Sequence, residues 1–195
     1  MWRWINVPNF LTVSRILLTP IFLVLVFAER WYCQNLALLV FILAALTDLY
    51  DGRLARKGGD VTAVGRFLDP LADKVLVSSA LISFAVLGMI EMWLVAAILV
   101  RDIVITILRM YAIYRNRQVV TSTLAKWKTT IQVVTILVIL AFMNLKAILM
   151  ELGSATTFLD GQWSYWFFNG LIGTAMLLTL ISGVRYLLGR NKYWL

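Results

Sequence analysis

A chain of 195 residues in which 62% are hydrophobic and 14% charged, with a mean hydropathy of +0.86, is too apolar for a water-soluble domain of ordinary composition and belongs in a bilayer. The formal net charge of +8 would suit nucleic acid, but in a membrane chain the placement of basic residues carries the information, and no nucleic-acid partner is expected. With no histidine and a lone Cys33, imidazole chemistry and an intrachain disulfide framework are excluded, so any reaction runs on carboxylates, hydroxyls, Lys and Arg.

Hydrophobic runs of about 20 residues can cross the hydrocarbon as helices, and six occur, near 10–28, 32–50, 73–90, 92–114, 129–150 and 165–188. The connections are short, without a Pro- or Gly-rich linker or a repeat. The expected fold is therefore all-α, one membrane domain over 1–195 with six transmembrane helices. Ahead of the first run, Trp2 and Trp4 flank Arg3, the composition of a short interfacial segment in the headgroup layer. The run itself lacks a small-residue cleavage site and is read as a retained span.

The end of the second run and the start of the third carry DLYDGRLARKGGDVTAVGRFLDPLADK, from Asp48 to Lys74. Ionised carboxylates beside apolar spans are costly unless paired or bound to metal. On a helix the three-residue step from Asp48 to Asp51 leaves the side chains roughly 60° apart, and the four-residue step from Asp69 to Asp73 roughly 40° apart. Each pair can aim at one point, and together they supply hard oxygen ligands suited to Mg²⁺ or Mn²⁺. Gly52, Ala55 and Gly65 keep the helix surfaces low, and Arg56, two turns from Asp48, is placed to reach a phosphate. The bland alternative, helix-end carboxylates bridged to neighbouring arginines, would explain one aspartate but not four at these spacings. Asp60 reads as a solvated loop residue.

In the fourth run Arg101 and Asp102 sit near the middle, about 100° apart, so neither easily satisfies the other. Such a pair is either functional or an interhelical ion pair that fixes packing. Arg109, Arg115, Lys126 and Lys128 approach the boundary between the fourth and fifth runs and form a candidate cationic pocket for a phosphate. Lys126 and Lys128 are two apart and diverge on a helix, so both reaching one phosphate requires an irregular stretch. Basic residues cluster at alternate connections: Arg53, Arg56, Lys57, Arg66 and Lys74, then Arg115, Arg117, Lys126 and Lys128, then Arg190 and Lys192. The other connections carry Glu29, Glu91, Glu151 and Asp160. By the positive-inside rule both termini and the aspartate connection face the cytosol.

The aspartate stretch resembles the CDP-alcohol phosphotransferases, whose pattern D-x2-D-G-x2-A-R-x8-G-x3-D-x3-D is matched at Asp48, Asp51, Gly52, Ala55, Arg56, Gly65, Asp69 and Asp73. The resemblance implies a six-helix membrane fold, often a homodimer, that transfers a phosphoalcohol from a CDP-linked donor to an acceptor hydroxyl with release of CMP. It implies that Asp48, Asp51, Asp69 and Asp73 line a site for two divalent ions, with Asp73 also the general base. It further implies that Asp48, Gly52, Ala55, Arg56 and Gly65 border the CDP moiety. The opening NVPNFLTVSRILLTP, with Asn9, Thr12 and Arg15, is similar to members that use glycerol phosphate. So are RDIVITILR from Arg101 and LAKWKTTIQ from Leu124.

These flanking likenesses make CDP-diacylglycerol and sn-glycerol 3-phosphate the expected substrates, with membrane lipids as surroundings and a bacterial plasma membrane as the setting. Lys128 and Arg109 are the first choices for the acceptor phosphate, and Lys126 the second. The rivals are an inositol-phosphate acceptor, phosphatidylglycerol as acceptor, and, in another class, a divalent-metal transporter.

Overall fold

The computed structural model describes residues 7–28, 30–54, 63–114, 123–153, 159 and 161–188; within them the side chains of 7–13, 48–54, 63–73, 109, 112–113, 123–126 and 185–188 lie outside the description. The described part is all-α, with six helices and no strand: α1 (Val7–Phe27), α2 (Trp31–Leu54), α3 (Ala63–Val86), α4 (Met92–Tyr114), α5 (Thr123–Glu151) and α6 (Gln162–Leu188). At 1.5 Å per residue, the shortest of them, 21 residues, is about 31 Å long, the thickness of a hydrocarbon layer. By composition as well as length, Trp127–Glu151 and Gln162–Val184 can cross a membrane. Residues 1–6, the expected interfacial segment, lie outside the described residues.

The largest departure from expectation is α3, which begins at Ala63 rather than near residue 73. Hydropathy finds only the apolar part of a helix, and Arg66, Asp69 and Lys74 dilute the first turns without preventing backbone hydrogen bonding. Both members of the second aspartate pair therefore stand inside a helix.

The chain divides into two compact units, one comprising 1–83 and 137–159, the other 84–136 and 160–195. In the first, α1 packs on α2. Arg15, Thr19, Phe22 and Val26 form the buried stripe of α1, and Ala37, Phe41 and Ala44 that of α2, both at helical spacing. The Phe22 and Phe41 rings lie 5.7 Å apart, tilted by 50°, while the two alanines let the backbones approach. In the second unit α4 packs on α6, with Leu94, Val95, Ile98 and Ile105 buried on one helix and Phe168, Ile172, Ala175, Thr179 and Ser182 on the other.

A Schellman motif ends α3. The Met89 amide donates to the Phe84 carbonyl at 2.9 Å and the Gly88 amide to the Ala85 carbonyl at 3.1 Å, with Gly88 left-handed at φ 72°. The next helix is tied down in the same unit, because the Glu91 amide donates to Asn169 Oδ1 at 2.8 Å and the Tyr165 hydroxyl donates to the Glu91 carboxylate. No atom lies within 4 Å of a Cβ built on Gly88, so Gly88→Ala suffers backbone strain alone. It is expected to destabilise the protein by about 1 kcal/mol, read as a lower thermal midpoint in detergent. An unchanged midpoint would show that the turn adapts.

Candidate active site

The last two turns of α2 carry Asp48, Asp51 and Gly52, and the first three turns of α3 carry Gly65, Asp69 and Asp73. All six positions belong to one unit. Both pairs occupy regular helix, so the three- and four-residue steps keep each pair of Cα–Cβ bonds within roughly 60° and 40°. The side chains of these residues, and the whole of Ala55 and Arg56, lie outside the described residues. The donor set itself fits a hard divalent cation: four carboxylates and no imidazole. Among the described residues, no group of three or more His, Cys, Asp or Glu could hold a metal ion.

The second unit contains a buried charged cluster built from three helices. Lys128, in the second turn of α5, is only 5% exposed, and its ammonium donates to Asp102 Oδ1 of α4. The same oxygen accepts Arg101 Nη1 at 3.2 Å. Arg101 Nη2 then donates to Ser182 Oγ of α6 at 3.0 Å. The neighbouring Gly183 makes room for this side chain, since a Cβ there would stand 3.2 Å from Arg101 Nε. Thr106 donates to the Asp102 carbonyl at 2.6 Å, which spends its hydroxyl within α4.

This geometry corrects the expectation that Arg101 and Asp102 cannot easily satisfy one another. Their Cβ directions do differ by about 100°, but the arginine stem is long enough to fold its guanidinium back to the adjacent carboxylate. Of the two readings, functional group or interhelical packing pair, the second has its contacts in the structure: Asp102 joins α4 to α5, and Arg101 joins α4 to α6. Burying charge in low dielectric is tolerated only with such partners.

Of the three basic residues predicted to meet a phosphate, Lys128 is the one whose side chain is described. Arg109 lies in the last two turns of α4 and Lys126 in the first turn of α5, with side chains outside the description. Because α5 is regular from Thr123 onward, the Cα–Cβ bonds of Lys126 and Lys128 point about 160° apart. The irregular stretch that would bring both to one point is not there.

Sequence reasoning named Asp102 without finding its partner. The available signal was a pair of opposite charges on two different apolar spans, each needing the other. It also passed over Gln132, four residues beyond Lys128 and 2% exposed. Arg15, quoted only for its likeness to relatives, is buried in the α1–α2 unit at 3% exposure.

Comparison with known proteins completes the picture. The family model described as CDP-alcohol phosphatidyltransferase matches residues 5–159, which include the aspartate stretch, Arg101, Asp102 and Lys128. The chain is 32% identical over 191 residues to the CDP-diacylglycerol--glycerol-3-phosphate 3-phosphatidyltransferase of Rickettsia bellii, with 97% of each chain covered. It is 33% identical over 201 aligned positions to the Bacillus subtilis protein of the same name, covering 97% of this chain and 95% of that one. A Salmonella paratyphi A protein, again of that name, is 37% identical over 137 residues, with 67% and 74% covered. With both aspartate pairs of the pattern on helices and a family match spanning most of its length, the chain belongs to the CDP-alcohol phosphatidyltransferase family.

Proposed function

We propose that this chain transfers the phosphatidyl group of CDP-diacylglycerol to sn-glycerol 3-phosphate, giving phosphatidylglycerol phosphate and CMP. The observation that carries this reading is similarity over 97% of the chain to proteins named for that reaction. The buried Lys128 adds a cation suited to an acceptor that already bears a phosphate.

In this reading Asp48, Asp51, Asp69 and Asp73 hold two divalent ions, Mg²⁺ or Mn²⁺, which when bound offset the charge of the donor diphosphate and of the departing CMP. Gly52, Ala55 and Gly65 keep the helix surfaces low beside the CDP moiety, and Arg56 reaches its phosphate. Lys128 and Arg109, with Lys126 as second choice, hold the acceptor phosphate. Asp73 takes the proton from the acceptor hydroxyl. The resulting oxygen forms the new bond to the phosphorus that bears diacylglycerol, while the bond to CMP breaks and CMP leaves with the electron pair.

The same proposal places the chain in a bacterial plasma membrane as six spans, with the aspartate connection in the cytoplasm and two copies forming a homodimer. Supporting it are the alternating basic connections and the exposed apolar faces of the helices, such as Leu17, Ile21 and Val24 on α1 and Val100, Ile103 and Ile107 on α4. Exposed aromatic residues also open the even-numbered helices: Trp31 and Tyr32, Trp93, and Trp163 and Trp166. Three helices entering from the non-cytosolic side would place such a belt at one interface.

The test supplies purified protein with CDP-diacylglycerol and, in turn, glycerol 3-phosphate, inositol phosphate and phosphatidylglycerol, with Mg²⁺, with Mn²⁺ and with chelator, and follows CMP. Glycerol 3-phosphate is expected to give the fastest release, and chelation to stop it. Lys128→Ala and Arg109→Ala should each raise KM for glycerol 3-phosphate about tenfold or more, as loss of a charge-assisted hydrogen bond implies. Release with phosphatidylglycerol but not with glycerol 3-phosphate would replace the acceptor assignment.

A further inference from the structure

We propose that Gln132 is a contact for the acceptor, its side-chain amide donating to a hydroxyl oxygen of the phosphorylated polyol whose phosphate is held at Lys128. This rests on the reading above that the acceptor is a soluble polyol phosphate. It adds a residue that neither the aspartate pattern nor the cationic pocket includes.

The first observation is an unanswered hydrogen bond. Gln132 is 2% exposed, yet its Nε2 has no hydrogen-bond partner. Buried amide groups in native proteins are almost always paired, and leaving a donor unmade in an apolar interior works against folding. An apolar residue of the same volume would serve packing better. Arg101 Nε in this unit is also without a partner, but that guanidinium makes two other bonds; the buried hydroxyls are answered: that of Thr135 donates to the Ile131 carbonyl at 2.8 Å, that of Thr179 to the Ala175 carbonyl at 2.6 Å, and Ser182 accepts from Arg101. These are hydroxyls returning to their own helix or meeting a neighbour. Glutamine on α5 does neither.

The second observation is placement. Lys128 and Gln132 are four residues apart on one regular helix, so their side chains leave the same face about 40° apart and about 6 Å along the axis. That face turns toward α4, since the Lys128 ammonium reaches Asp102. A three-carbon phosphate ester has the length to engage a cation at its phosphate and an amide donor at a hydroxyl one helical turn away. The pair thus separates two tasks: charge recognition at Lys128 and polyol recognition at Gln132. A site that donates to a hydroxyl discriminates strongly against a ligand lacking it, and bare phosphate lacks it.

Gln132→Leu tests this in the full-length enzyme, with Gln132→Met as the substitute if the leucine variant is not recovered. Three quantities are read: thermal stability without ligands, KM for glycerol 3-phosphate, and the inhibition constant of inorganic phosphate against that acceptor. The expected result is stability equal to or above that of the parent, KM raised five- to twentyfold, and phosphate inhibition within twofold of the parent. Lys128→Met should weaken both acceptor and phosphate. Unchanged KM, with stability lowered or not, would overturn the assignment and leave the amide to a buried water. Equal weakening of glycerol 3-phosphate and inorganic phosphate would overturn it too, by showing a general distortion of the pocket. Phosphatidylglycerol as a second acceptor distinguishes a free from a lipid-borne glycerol, and an effect confined to it would also overturn the proposal. Failure of the unmutated protein to release CMP with glycerol 3-phosphate would instead remove the underlying function, an outcome visible before any variant is made.

Discussion

Asp73→Asn is expected to abolish CMP release while leaving CDP-diacylglycerol binding largely in place. The substitution keeps volume and removes the basicity that would take the hydroxyl proton, together with one of the four proposed anionic metal ligands. A positioned base contributes about 10² to 10⁴ in rate, so residual turnover should be about one hundredth of the parent's or less. In the proposed site Asp48, Asp51 and Asp69 would still hold the ions, so donor binding should largely survive. Steady-state CMP release together with equilibrium binding of the CDP-lipid separates the two effects. Near-normal turnover would take the base assignment away from Asp73, whereas loss of donor binding in parallel would make it a metal ligand alone.

The second large effect belongs to Asp102. Its carboxylate is 13% exposed and takes bonds from both Lys128 and Arg101, so Asp102→Ala strips a partner from each of two cations. Removing one side of a buried pair costs about 3–5 kcal/mol, most of it from the charge left behind. The variant should therefore unfold at clearly lower temperature in detergent. Asp102→Ala combined with Lys128→Met should recover part of that loss, because the stranded ammonium is gone. A single variant as stable as the parent, or a double variant less stable than the single, would show that this cluster does not hold α4, α5 and α6 together.

Much of this was legible in the sequence, for identifiable reasons. Helix α4 coincides with its predicted run, Met92–Tyr114, because apolar side chains fill it nearly end to end and Glu91 with the Gly88 turn stops it. Helix α3 was recognised a decade of residues too late, since hydropathy measures what a bilayer tolerates and not where the backbone coils. The family pattern was readable because aspartate spacing is a property of the chain itself. By contrast, Asp102 joined to Lys128 is a contact between residues 26 apart, set by how helices pack, and no periodicity reports it. The mutual reach of Arg101 and Asp102 was missed for a smaller reason: helical angles describe Cβ directions, and a long flexible side chain need not follow them. Gln132 was invisible because an amide on an apolar face looks like many others until its hydrogen bonds are counted.

The charged pair at the centre of α4 also bears on how the chain is made. Arg or Asp at the middle of a membrane helix opposes insertion by about 2.5–3.5 kcal/mol each, and α4 carries one of each, Arg101 and Asp102, near its middle. Its counter-charge, Lys128, and its hydroxyl partner, Ser182, are synthesised 26 and about 80 residues later. Under the proposed six-span arrangement, α4 would be a segment that settles only when its successors arrive. In that arrangement its integration would be a cooperative, late event, and a ribosome stalled before α5 would leave it poorly inserted.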